Sequence, residues 1–159
     1  MNEVLFEVAE PHIALVTINR PEARNAVIGA VAAGLEAAVE RIEADPDIWV
    51  AILTGAGKAF SSGGNMHAMR TGGGIKEALP ARTRGNYNRG IQRLPLAFAA
   101  LEVPIIAAIN GAAIGAGCDL TCMCDLRIAG GSARFAESFV KLGLVSGDGG
   151  AWLLPRVVG

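Results

Sequence analysis

Residues Pro104 to Ala129, PIIAAINGAAIGAGCDLTCMCDLRIA, limit what this chain can fold into more than any other stretch. An apolar run from Ile105 to Ile109, bounded by Pro104 and the Asn110-Gly111 turn, has the length and punctuation of a strand buried on both faces. A loop holding Gly111, Gly115 and Gly117 follows, and a helical segment begins near Gly117 with Asp119 in its first turn. Small residues there let a ligand approach the backbone, and a helix start leaves N–H groups without partners. Those amides, with the positive end of the helix dipole, can hold a developing negative charge beside the Asp119 carboxylate.

With 159 residues, 52% of them hydrophobic, the chain fits one domain over residues 1–159 with a real core. A formal net charge of -1 offers no electrostatic reason to expect a nucleic acid partner. Cys118, Cys122 and Cys124 fall in the apolar segment after the central strand. Their C-x3-C-x-C spacing matches no zinc or redox pattern, so they read as small core side chains and no metal is expected. The N-terminus, MNEVLFEVAE, is acidic and has no continuous apolar core, unlike a signal peptide. Val103 to Leu120 is apolar, but Pro104, Asn110 and three glycines interrupt it, and it is too short to span a bilayer comfortably. The expectation is a soluble, cytoplasmic protein with no membrane partner.

In chain order, LFEVAE and HIALVTIN, split by Pro11-His12, read as a hairpin over Leu5 to Asn19. Asn25 is a candidate N-cap for a helix to Ala44, in which Val27, Val31, Leu35, Ala38 and Ile42 recur at helical spacing before Asp45-Pro46 stops it. Ile48 to Thr54 is then a buried strand, and the order strand, helix, strand argues for a parallel crossover. Tyr87 to Leu101 suggests a helix that Pro95 kinks or divides. After Asp125, LRIA reads as a strand, ARFAES as the start of a short helix, and Ala151 to Val158 as another helix. Trp152 and Phe139 read as core or pocket wall.

Two further glycine-rich connections stand out. Gly55 to Asn65, GAGKAFSSGGN, fails as a P-loop because Ile52 stands where the first glycine belongs and Ala59 where Ser or Thr belongs. It reads instead as a turn that brings the backbone of Gly63, Gly64 and Asn65 to the carboxyl edge of the sheet, where open α/β sheets bind ligands. Leu142 to Gly150 is the other. Thr71 to Ile75, TGGGI, is a loop or lid. Ser61 and Ser62 lack a partnering His, which argues against a serine hydrolase. His12 and His67 have no second ligand at metal-binding spacing.

VTINRPEARNAV (Val16 to Val27), AILTGAGKAFSSGGN (Ala51 to Asn65), INGAAIGAGCDLTCMCDLRIA (Ile109 to Ala129) and LGLVSGDGGAWLLPRVVG (Leu142 to Gly159) together resemble the enoyl-CoA hydratase/isomerase, or crotonase, family in order and spacing. The resemblance implies an α/β fold that is a spiral of ββα units, a homo-trimer or hexamer, and an acyl-CoA thioester substrate. No cofactor is implied beyond the coenzyme A that the substrate carries. It also implies a helical segment after LPRVVG that closes the acyl pocket and builds the trimer contact. Since the sequence stops at Gly159, it reads as a core portion truncated at the C-terminus.

By position in that family, the backbone amides of Gly64 and Ala116 hold the thioester oxygen as an enolate. Ala23, Arg24, Ser62, Gly63, Asn65, Met66, Gly115 and Phe139 fall on substrate or CoA contacts, with solvated surface charge the competing reading of Arg24. Fixed donors in a dry site stabilise an oxyanion without reorganising, and losing one typically costs about 3–4 kcal/mol of barrier. The family's two catalytic glutamates fall on Asp119, an acid one methylene shorter, and on Phe139, which cannot titrate. Glu137 is two residues from Phe139, and on a helix that offset of about 200° turns it away from the site. Asp148 is the better replacement, as an acid of raised pKa in an apolar pocket or else as the cap of the helix after it. The expected activity is hydration of a 2-enoyl-CoA in fatty acid metabolism. The alternatives are another crotonase-type reaction (isomerase, thioester hydrolase, decarboxylase) and a non-catalytic acyl-CoA-binding or assembly protein.

Overall fold

Alternating apolar residues and a Pro-His turn give the first hairpin, strands β1 (Val4–Glu10) and β2 (Ile13–Ile18), paired antiparallel in a computed structural model that describes residues 2–70 and 75–159, without the side chains of His67 and Arg70. His12 takes the left-handed turn position at φ 69°. Helix α1 (Gly29–Ala44) crosses from β2 to β3 (Val50–Gly55), which lies parallel to β2, as the crossover argument requires. Val31, Leu35 and Ile42 of α1 are buried against Ala14, Val16 and Ile18 of β2. Each such aliphatic side chain contributes roughly 1.5–3 kcal/mol by leaving water.

From β3 onward one unit repeats. β3 leads into the short β4 (Ala59–Ser61) and then helices α2 (Met66–Arg70), α3 (Pro80–Arg89) and α4 (Arg93–Ala100). β5 (Ile105–Ile109) leads into β6 (Ala112–Ile114) and α5 (Ala116–Met123), and β7 (Leu126–Ala129) into β8 (Arg134–Ala136) and α6 (Gly150–Val158). The first strand of each unit joins a five-stranded sheet ordered β1-β2-β3-β5-β7, and the second joins a parallel three-stranded sheet ordered β4-β6-β8.

Four expectations change. Asn25 is not an N-cap: α1 starts after Ile28 without a side-chain cap. Asn25 is instead fully buried at φ 55°, where its side chain accepts from Arg20 N (2.9 Å) and donates to the carbonyls of Ala56 (2.9 Å) and Ala59 (2.8 Å). The helix expected over Tyr87 to Leu101 is divided at Gly90, before Pro95, which sits in the first turn of α4 where a missing N–H costs little. ARFAES starts with a strand, β8, because the chain after β7 must fill the next place beside β6. Trp152 is exposed rather than core, with the Arg156 guanidinium stacked 3.3 Å above its ring. Thr71 to Gly74 of the TGGGI stretch lie outside the described residues.

Asn25 therefore ties the turn after β2 to the loop before β4. Replacing it with Ala leaves three polar groups, at least partly buried, without their partner and puts at a left-handed position a residue less tolerant of it than Asn, so urea unfolding of Asn25→Ala should show a loss of about 2–4 kcal/mol.

Candidate active site

The two glycine-rich loops meet because each turns at a glycine of positive φ, Gly63 at 81° and Gly115 at 54°. A β-carbon on Gly63 would stand 2.3 Å from the Ile114 carbonyl and 3.3 Å from the Ala116 nitrogen, so the first loop lies directly on the start of α5. Asn110 reinforces the junction by donating to the carbonyls of Gly55 and Gly57.

Backbone accounting then singles out particular amides. In the first loop, Ser62 N donates to Arg24 O (2.9 Å) and Gly63 N to the buried Ser61 hydroxyl (3.2 Å), which itself donates to Asn25 O (2.8 Å). In the second, Gly115 N donates to Ala136 O, and the Cys118 and Asp119 amides to Gly115 O. Among the described residues, the N–H groups of Gly64 and Ala116 meet no acceptor. Both residues line a cavity of about 520 Å³.

Ser62, Asn65, Met66, Gly115, Phe139 and Asp148 also line this cavity, with Val27, Ala32, Ile91 and Leu94 supplying apolar wall. The Phe139 ring comes within 3.7 Å of where a Gly115 side chain would start. Gly63 lies outside the lining, as do Ala23 and the exposed Arg24, whose carbonyls hold Ser62.

The acids separate into two layers. Asp148 is 4% exposed and faces the cavity, whereas Asp119 is fully buried behind it, packed on the backbone of Gly150. Gly149, not Asp148, is the N-cap of α6, and no side-chain cap bond forms there, so the capping reading of Asp148 fails. Ser146 Oγ donates to Asp119 Oδ2 at 3.2 Å. As ionised groups, Asp119 Oδ1 and Asp148 Oδ1 meet no donor, so a proton held between the two carboxyls is the hydrogen available to them. Burial pushes Asp148 up to about 8, and the hydrogen bond and charge of Asp119 add to it. Burial also pushes Asp119 up to about 6, opposed by the hydrogen bond that Asp148 donates.

One neighbour escaped the sequence reading. Tyr87 of α3 lines the cavity next to Gly147, and burial and then the Asp148 charge raise its hydroxyl. Glu137 does face away from the main cavity, as expected, but it lies on no helix: it sits between β8 and the turn at Phe139–Leu142, and its charge helps burial raise Asp119. The outcome holds for a different reason than a helical offset, because ARFAES runs as a strand and a connection rather than a helix. Cys118, Cys122 and Cys124 are buried thiols, and among the described residues no group of three or more His, Cys, Asp and Glu is arranged to hold a metal ion. No helix there is long and apolar enough to cross a membrane.

Residues 9–159 match the family model described as enoyl-CoA hydratase/isomerase. The chain is 43% identical over 150 residues to the probable enoyl-CoA hydratase EchA14 of Mycobacterium tuberculosis, an alignment covering 94% of this chain and 56% of that protein. It is 40% identical over 161 residues to the short-chain-enoyl-CoA hydratase of Clostridium acetobutylicum, covering 100% of this chain and 58% of the relative. A crystal structure of enoyl-CoA hydratase from Bacillus anthracis superposes with a TM-score of 0.86 at 31% identity, covering 99% of this chain and 58% of that one. Paired sheets built by a repeated ββα unit, with the cavity where their glycine loops meet, are the crotonase-like α/β fold. The chain belongs to the enoyl-CoA hydratase/isomerase family. It spans a little over half the length of the relatives it matches.

Proposed function

We propose that this chain carries the catalytic core of an enzyme that hydrates 2-enoyl-CoA thioesters, as in fatty acid metabolism. The observation that carries the reading is the convergence, on one largely apolar cavity, of two uncommitted backbone amides and an acid outside any ion pair among the described residues, Asp148. The amides of Gly64 and Ala116 receive the thioester oxygen. As water adds to the β-carbon, electrons move through the α-carbon to that oxygen, and the enolate charge develops against fixed donors. The Asp119–Asp148 pair gives one proton to the α-carbon and takes one from the adding water, so each turnover restores it. Position 139 contributes apolar wall and no proton.

The pair works when it holds one proton. Activity should fall below about 6, where Asp119 also becomes protonated, and above about 8, where Asp148 loses its proton. The measurement is kcat/KM for crotonyl-CoA against pH, followed by loss of the conjugated-enoyl absorbance. A flat profile removes the two-acid assignment. Absence of turnover with retained thioester binding moves the chain to another reaction of the family. Isomerisation has a specific claim, since Asp148 is the one lining carboxylate not in an ion pair among the described residues: the other, Glu36, pairs with Arg93. Conversion of a 3-enoyl-CoA would show it.

The exposed apolar side chains Leu126, Ile128 and Phe135 at the last strands of the two sheets support assembly as a homo-trimer or hexamer, which sedimentation of the full protein tests. A cytoplasmic location completes the reading.

A further inference from the structure

Asp148 is carried by a stretch with little backbone order of its own. Glycines stand at 147, 149 and 150, and among the described residues no backbone–backbone hydrogen bond involves Val145 to Asp148. A chain with that much conformational freedom must be held from outside if its carboxyl is to keep one place.

Helices α3 and α4 hold it. Gln92 Nε2 donates to Gly147 O at 2.6 Å, across 55 residues of sequence. A β-carbon on Gly147 would stand 3.1 Å from the Tyr87 ring, and one on Gly149 would stand 2.9 Å from the Pro95 ring, so the loop is pressed onto this pair of helices on both sides of Asp148. Gln92 is the N-cap residue of α4, yet its side chain makes no cap bond there. Its backbone N–H donates to Tyr87 O at 3.1 Å, which fixes the turn between the two helices and leaves the side-chain amide for Gly147. A carbonyl can only accept, so the amide nitrogen must be the atom that faces it. Among the described residues, this is the one hydrogen bond that joins α3 or α4 to the loop from Leu142 to Gly149. On the other side, Ser146 Oγ donates to Asp119 Oδ2 of α5. The titratable groups that face Asp148 are Tyr87 of α3 and Asp119 of α5.

We propose that Gln92 is a positioning residue for the reaction: by holding the Gly147 carbonyl it keeps the neighbouring Asp148 carboxyl in the cavity that the Gly64 and Ala116 amides also line. This rests on reading Asp148 as the acid of an enoyl-CoA reaction. Tyr87, Ile91 and Leu94 of the same two helices line that cavity, so one hydrogen bond ties the acid to the apolar wall. Gln92 itself lies outside the lining and touches no substrate.

The test is Gln92→Met in the full protein, a change that keeps the length of the side chain and removes its donor. The first readout is a carbon-13 NMR titration of the Asp carboxyls without substrate. With the Gly147 carbonyl released, water reaches Asp148, and its midpoint should fall from about 8 by about one pH unit or more, a tenfold change in proton affinity. An unmoved midpoint in the folded variant overturns the proposal. Should Gln92→Met fail to fold, hydrogen exchange of the Gln92 side-chain amide in the wild type decides: protection supports the bond, and exchange at the rate of a free amide overturns it. In kinetics, kcat for crotonyl-CoA should fall about tenfold or more with KM within about twofold, and the alkaline limb of kcat/KM should move toward acid with the Asp148 midpoint. A residue that only supports the fold would lower the active fraction without moving that limb, and that result also overturns the proposal. If the wild type does not turn over crotonyl-CoA, the functional reading fails while the titration still decides the role of Gln92.

Discussion

Replacing Asp148 with Asn should cost roughly 10²–10⁴-fold in turnover, the usual scale of a positioned proton donor, and at the same time make the protein more stable in alkaline solution. The two effects have one cause. Burial raises the Asp148 carboxyl from its ordinary 3.8 to about 8, so the folded state binds that proton more tightly than the unfolded chain does. Stability from this group is complete below 3.8 and is lost as pH rises toward 8. Asn never ionises, so its advantage should be absent at pH 3.5 and grow to roughly 2–5 kcal/mol at pH 8.5, since each tenfold difference in proton affinity between the folded and unfolded chain is worth about 1.4 kcal/mol. Urea unfolding at the two pH values reads the difference. A variant destabilised equally at both would remove Asp148 from the buried, raised state on which the proposed chemistry depends.

Gly63→Ala should be strongly damaging for a single added methyl group. Its β-carbon would lie 2.3 Å from the Ile114 carbonyl, at a φ of 81° that side chains rarely adopt. Neither problem can be relieved by rotating a side chain, because the opposing atom is backbone. Left-handed strain and overpacking together predict a loss of about 3–5 kcal/mol. Any relief must push the Gly64 loop away from Ala116, so acyl-CoA affinity, measured by calorimetry on the folded fraction, should fall at least tenfold. Gly131→Ala, whose new methyl group meets nothing within 4 Å, is the control and should change neither quantity. Unimpaired binding by Gly63→Ala would separate the two amides from ligand recognition.

Much of this was readable beforehand where local pattern and global need agree. The hairpin, the crossover through α1 and the strand at Ile105 carry strong periodicity over five or more residues, and the structure contains all three. Gly64 and Ala116 come from motif position alone; in the structure both line the cavity, and among the described residues their N–H groups meet no acceptor. Three-residue strands such as β4 and β8 have too little length for a period to register, and their pairing is decided by neighbours far away in sequence. Asp119 could be assigned to the start of a helix, but whether it or Asp148 faces the cavity depends on how α6 lies across α5. Asn25 carries the ambiguity of its residue type, since caps and buried bridges draw on the same short amide side chain.

The doubled ladder also says where this architecture can vary. Each unit lays down one rung in both sheets at once, so a residue inserted between β5 and β6 would have to shift two registers together. The crossover from Met66 to Pro104 escapes that rule, because its helices attach to neither ladder, yet it supplies Met66, Tyr87, Ile91 and Leu94 to the cavity wall. Exchange of that crossover offers a way to resize the chamber while leaving the scaffold's geometry alone.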